Sequence, residues 1–104
     1  MKNISNAHKN IQLNIINMNN YTISNNTIIF KCDFVEPLDS SEYFNIINGL
    51  KILIFEPESL YNIPIQILPN TLTHITFGNL FDQNVVFPNS LTNLTLLNRF
   101  YIMI

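Results

Sequence analysis

The chain has 104 residues, 47% of them hydrophobic and 12% charged, with a net charge of -2 at neutral pH. That is the length of one domain with enough apolar material for a core, and it excludes a disordered, highly charged tail. The five basic residues, Lys2, Lys9, Lys31, Lys51 and Arg99, are scattered rather than clustered, so nucleic acid is not the expected partner.

The single cysteine, Cys32, excludes an internal disulfide. No stretch approaches the roughly 20 apolar residues of a membrane helix. The opening MKNISNAHKNIQLN lacks the unbroken apolar run of a secretory signal. The expectation is a cytoplasmic protein with no membrane partner.

From the N-terminus, Ile11-Gln12-Leu13-Asn14-Ile15 alternates apolar and polar residues and predicts a strand. Asn19-Asn20 and Asn25-Asn26 predict turns. We assign 1–22 to an N-terminal cap strand or extension and 23–104 to a set of repeats, within one domain overall.

The repeats share a short phrase. Leu72-x-x-Ile75-x-Phe77 recurs nineteen residues later as Leu91-x-x-Leu94-x-Leu96 and stands twenty-two residues earlier as Leu50-x-x-Leu53-x-Phe55. Asn25-x-x-Ile28-x-Phe30 is a fourth copy, with a polar residue in its first slot. After each copy comes an aromatic residue, two variable residues, often proline, and an aliphatic. Tyr61-Asn62-Ile63-Pro64-Ile65 is the clearest case, beside Phe34-Val35-Glu36-Pro37-Leu38 and Phe81-Asp82-Gln83-Asn84-Val85, and Phe100 opens a last one. Apolar residues two apart on an extended run share a face, and flanking prolines bar helix. A unit of about twenty residues closes no core alone, but stacked units do. Phe34, Tyr61, Phe81 and Phe100 are expected to stack in one aromatic column.

Asp39-Ser40-Ser41-Glu42 is patterned as a capping box, with Tyr43, Phe44 and Ile47 on one helical face and Gly49 as a stop. It predicts a short helix over 40–48, the alternative being an irregular loop. Further on, Leu68-Pro69-Asn70 and Phe87-Pro88-Asn89 precede the last two copies of the phrase.

Leu-x-x-Leu-x-Phe, Tyr61-Asn62-Ile63-Pro64 and Leu68-Pro69-Asn70-Thr71-Leu72-Thr73 together resemble the FNIP repeats, a leucine-rich-repeat-like family found in social amoebae and giant viruses. The resemblance spans 50–98 closely and 23–49 more loosely. It implies a mainly β fold: a short solenoid of about four irregular repeats with one short strand each. The compartment would be the host cytoplasm if the chain is viral. Asn84 in place of the proline and Leu97 in place of the glycine at Gly78 depart from the family pattern, and 1–22 shows no F-box, which some members carry.

Six of the seven acidic residues fall between Asp33 and Glu58, in a spacing that matches no calcium loop and reads as a solvated loop face. Cys32, beside Phe30 and Phe34, reads as a packed thiol, and His8 and His74 form no metal-spaced set. Asn79 and Asn98 share a slot from which an asparagine can bond the backbone of the adjoining turn. No catalytic residue, cofactor or metal site is expected.

The expected function is therefore a protein–protein interaction module without catalysis. Its surface would be the outward strand slots, Ile52, His74 and Asn93 in one column and Ile54, Thr76 and Thr95 in the next. Ile52 and Ile54 are expected to be exposed. The alternative is a truncated or degenerate array with a structural, self-associating role. Its motive is the apolar ending Phe100-Tyr101-Ile102-Met103-Ile104. Under it the partner is a second copy, in a homodimer through the C-terminal edge.

Overall fold

The computed structural model describes residues 15–18 and 20–98. Among these residues the protein is mainly β, one sheet with one helix. The strands are β1 (Ile15–Asn17), β2 (Tyr21–Ser24), β3 (Thr27–Phe30), β4 (Ile52–Phe55), β5 (His74–Phe77) and β6 (Asn93–Leu96), and they neighbour one another in that order. The helix α1 (Ser41–Ile47) lies between β3 and β4 in the chain. Of the strand predicted over 11–15, only Ile15 falls among the described residues, where it opens β1.

The sheet changes character at β3. β1, β2 and β3 form an antiparallel meander, whereas β3 to β6 run parallel. The β2–β3 reversal uses Asn25 and Asn26, at φ 53° and 62°. Asparagine tolerates this left-handed region, and two such residues match the twist of a tight hairpin. The parallel strands fall on the four copies of the sequence phrase without a slip. Ile28, Leu53, Ile75 and Leu94 are paired in succession.

One carbonyl before each strand ties it to the next. The Lys51 and Ile52 N–H groups donate to Asn26 O, those of Thr73 and His74 to Lys51 O, and those of Thr92 and Asn93 to Thr73 O. On the return path, side chains do the same work. Asp39 Oδ2 accepts from Gln66 N–H (2.9 Å), Asn62 Oδ1 from Asp82 N–H (2.9 Å) and Asn70 Oδ1 from Asn89 N–H (3.1 Å). Of the two asparagines expected in this role, Asn98 donates through Nδ2 to Phe81 O at 3.2 Å. Asn79 is exposed and is tied by its backbone N–H to Pro57 O instead.

The core is a lattice of rings. Phe30, Phe55 and Phe77 stack along the strands, with centroids 5.2 and 5.6 Å apart. Phe34, Tyr61 and Phe81 form a second stack at 5.7 and 6.2 Å. Rungs of 4.3, 4.6 and 4.0 Å join the two, so each ring is held along and across the array. The single column expected from sequence is thus half of a double one, and its fourth member, Phe100, lies outside the described residues. All six rings are at most 1% exposed. Fully burying such a side chain contributes about 1.5–3 kcal/mol, and each well-placed ring pair adds about 0.5–1.5 kcal/mol. Tyr21 and Tyr43 close the lattice at its β2 end, Tyr43 meeting Phe34 edge-on at 5.0 Å.

Helix α1 forms near its expected place, with the cap shifted by one residue. Ser40, not Asp39, accepts the Tyr43 N–H, because Asp39 is engaged with Gln66. Tyr43 and Ile47 are buried on its inner face, and Phe44 is half-buried. Asn48 caps the C-terminus and Gly49 follows at φ 99°, the left-handed turn that glycine enters without a Cβ penalty.

Candidate functional site: the outward sheet face

Strand alternation decides which side chains face away from the rings. In β4, Leu53 and Phe55 are buried, which turns Ile52 and Ile54 outward; in β5, Ile75 and Phe77 do the same for His74 and Thr76. In β6, Asn93 and Thr95 face out. The pairing then brings all six together: Ile52, His74 and Asn93 lie side by side, and so do Ile54, Thr76 and Thr95. The two expected columns are thus present in register.

Exposure along the columns is uneven. His74, Asn93 and Thr95 are exposed, and Thr76 is half-buried. Ile52 and Ile54, expected to be exposed, are half-buried too. The reason is cross-strand shielding: Thr27 pairs with Ile52 and Ile29 with Ile54, and neighbouring strands lie only about 4.8 Å apart. Thr27 and Ile29 belong to the face and were missed. The weak first copy of the phrase carried the signal, because Ile28 and Phe30 inward forces Thr27 and Ile29 outward. The hydroxyl of Thr73 lies 2.8 Å from His74 Nδ1, which steadies the imidazole on the surface.

At the C-terminal ends of β3 and β4 the face meets a cleft of about 310 Å³ lined by Cys32, Glu56, Pro57 and Glu58. Cys32 is therefore not a packed thiol. It is half-buried, and its Sγ donates to Glu56 Oε1 at 3.2 Å. Cys32 and Asp33 form a turn closed by the Phe34 N–H on Lys31 O (3.1 Å), and Phe34, not Cys32, enters the core. That hydrogen bond, then burial, then the charges of Glu56, Glu58 and Asp33 push the thiol pKa above its ordinary value. A nucleophilic cysteine needs the opposite shift.

A second cavity, of about 250 Å³, opens on the return path between the Leu68-Pro69-Asn70 and Phe87-Pro88-Asn89 turns. Among the described residues, no three His, Cys, Asp or Glu side chains come together as metal ligands would. Nor is any helix there long and apolar enough to cross a membrane. Comparison with known proteins found no matching family model, no curated protein and no solved structure.

Proposed function

We propose that this chain is a protein–protein interaction module of the FNIP-repeat kind, a short leucine-rich-repeat-like solenoid that works in the cytoplasm and catalyses nothing. The observation that carries the reading is the register of the outward face. Ile52, His74 and Asn93, and Ile54, Thr76 and Thr95, line up across three parallel strands, while the opposite side of β4 and β5 is buried in the core. Stacked units offer partners such extended, regularly spaced surfaces. The repeated carbonyl ties from Asn26, Lys51 and Thr73 support the solenoid, since each unit hands the same bond to the next. The upward shift of the Cys32 thiol speaks against that one side chain as a nucleophile.

The test is recovery of partners from host cytosol by the full chain and by a face variant, Ile52→Asn, Ile54→Thr, His74→Ala and Thr76→Ala together. A control variant, Leu60→Gln with Leu80→Gln, alters two exposed leucines outside the strands. Proteins lost with the face variant and kept with the control support the reading. Equal recovery with all three overturns it.

One observation favours the second reading, a self-associating structural array. In β6 the inward residues Leu94 and Leu96 are only half-buried, whereas their counterparts Ile75 and Phe77 are 1% exposed. Under that reading the partner is a second copy at the β6 edge.

A further inference from the structure

The outward strip of β4 does not stop at the strand end. The alternation Ile52, Ile54 continues to Glu56, and the ladder still holds there, with Glu56 N–H donating to Phe30 O at 3.1 Å. Two neighbours flank Glu56. Lys31 uses its ammonium on the carbonyl of Met18, at 3.2 Å. Gly78 brings no side chain, and its Cα lies so near that an added Cβ would stand 2.7 Å from Glu56 O. The Glu56 carboxylate accepts from Cys32 Sγ through Oε1, and Glu56 lines the cleft together with Pro57 and Glu58. Asp33 and Glu58 add negative charge at the same end of the sheet, and the raised thiol of Cys32 registers all three acids.

Beside this acidic rim, Ile29, Ile52 and Ile54 make an aliphatic strip. Polar slots border the strip on both sides, Thr22 and Thr27 toward β2 and His74, Thr76, Asn93 and Thr95 toward β6. An aliphatic strip that runs into carboxylates, with the flanking Lys31 ammonium turned to the Met18 carbonyl, complements one kind of chain segment.

We propose that the partner of this face is an extended peptide segment that carries an aliphatic residue and, two positions away, an arginine or lysine. The aliphatic group lies on Ile29, Ile52 and Ile54, and the cation enters the cleft at Glu56 and Glu58. This inference rests on the interaction-module reading and supplies the partner's chemistry. The spacing follows from the strand. Ile54 and Glu56 are two residues apart, roughly 6.6 Å along an extended chain, and an extended ligand repeats its own side chains at the same interval. Arginine fits best, because its planar fork reaches a carboxylate with two donors and is less strongly hydrated than an ammonium. The charge sets partner choice and association rate, and the aliphatic contact holds the complex once formed.

The test is selection of random heptapeptides on the immobilised full chain, followed by titration of the best synthetic peptide. The expected peptides share Ile, Leu or Val two places from Arg or Lys. Glu56→Gln with Glu58→Gln should weaken binding about tenfold, and about 0.5 M salt should do much the same to the parent chain. Ile52→Asn with Ile54→Thr should also weaken it about tenfold; these residues stand in the matching slots of β6, at Asn93 and Thr95. A thermal melt accompanies each variant, and Glu58→Gln alone, at an exposed position, serves if the double change lowers it. Peptides that lack a basic residue yet depend on Ile52 and Ile54 would overturn this inference and leave the interaction face standing. Basic peptides indifferent to the isoleucines would overturn it as well, reducing the effect to charge alone. Peptides indifferent to both sets would take the interaction reading down with it.

Discussion

Phe77 and Phe81 lie face to face, with ring centroids 4.0 Å apart and planes 9° from parallel. Phe77 ends strand β5 and Phe81 begins the return path, so this contact folds each unit onto itself. Phe55 and Tyr61 repeat it one unit earlier at 4.6 Å. Phe81→Ala removes a ring that also stacks on Tyr61. Truncations of this kind cost about 3–5 kcal/mol, much of a small domain's stability. A denaturant melt should show most of the chain unfolding together at a far lower midpoint. An unchanged midpoint would mean that the lattice does not carry the fold.

How much of this was legible in advance depends on what kind of signal each feature leaves. The slots of the phrase fixed the inward and outward residues of β4, β5 and β6, because a period of two leaves little freedom once Leu53, Ile75 and Leu94 are placed. The second ring stack was hidden for a simpler reason. Phe30, Phe55 and Phe77 stand in the phrase simply as inward apolar slots, and only the close return of the chain sets them against Phe34, Tyr61 and Phe81. The acids of the cleft stand out only as part of the run from Asp33 to Glu58, with nothing local to join them to Cys32. Cys32 and Glu56 are 24 positions apart and meet only because β3 and β4 pair in parallel. The half-burial of Ile52 and Ile54 likewise depends on Thr27 and Ile29, which belong to the weakest copy of the phrase.

The outward register makes a contrast within two adjacent residues. His74 is exposed and Ile75 is 1% exposed. His74→Ala should change stability by no more than about 0.5 kcal/mol, as at other surface sites. Ile75→Ala should cost about 2–5 kcal/mol. Chemical denaturation of the two variants in parallel checks this, and a reversal of the order would mean that β5 is shifted by one residue.

Tyr61 links the ring lattice to α1's approach segment. Its hydroxyl accepts the buried Leu38 N–H at 3.1 Å. Tyr61→Phe keeps the ring and orphans that N–H, at a cost of about 1–3 kcal/mol. The same residue sets an alkaline limit. Burial pushes its pKa up to about 12, the Leu38 hydrogen bond pulls it down and Asp39 pushes it up. The folded value thus lies above the ordinary one near 10. Below about pH 10 the tyrosine is protonated in both states and stability is flat; between about 10 and 12 the unfolded chain loses the proton first, so stability falls as pH rises. Tyr43 adds to the same trend, since burial and then Glu36 raise its pKa too. Melts across pH 8 to 12 should show the decline, and Tyr61→Phe should flatten part of it.

The two glycines should respond to alanine for different reasons. At Gly78 an added Cβ would lie 2.7 Å from Glu56 O and 3.1 Å from Pro57 O, backbone atoms held by the N–H groups of Ser59 and Asn79. Such overpacking costs about 1–3 kcal/mol. At Gly49 nothing lies within 4 Å, and the cost comes from φ 99° alone, about 1–2 kcal/mol for an L side chain. Gly49→Asn should therefore lose little, because asparagine tolerates that region, whereas Gly78→Asn should lose more than Gly78→Ala. Thermal melts of the four variants separate the two causes.

The edge of β6 decides between a module that stands alone and an array that pairs with itself. Burial in β3 and β4 alternates half-buried with buried, while β6 alternates exposed with half-buried. No strand pairs with the far side of β6 among the described residues. From Gln83 to Asn98 the sequence carries no charged residue, and Pro88 is the one proline in that stretch. An open strand edge without charge or proline to blunt it recruits another strand. The closed outcome is a two-fold pair, edge against edge, which buries Leu94 and Leu96 on both sides and then stops growing. Light scattering over a wide concentration range should give about twice the 12.1 kDa chain mass at the upper end. Leu96→Lys should return the chain to a monomer, because a lysine placed at an edge sets two like charges against each other in the pair. A monomer at every concentration would overturn the expectation and would leave residues 99–104 as the segment to test for covering the edge, by deleting them and repeating the measurement.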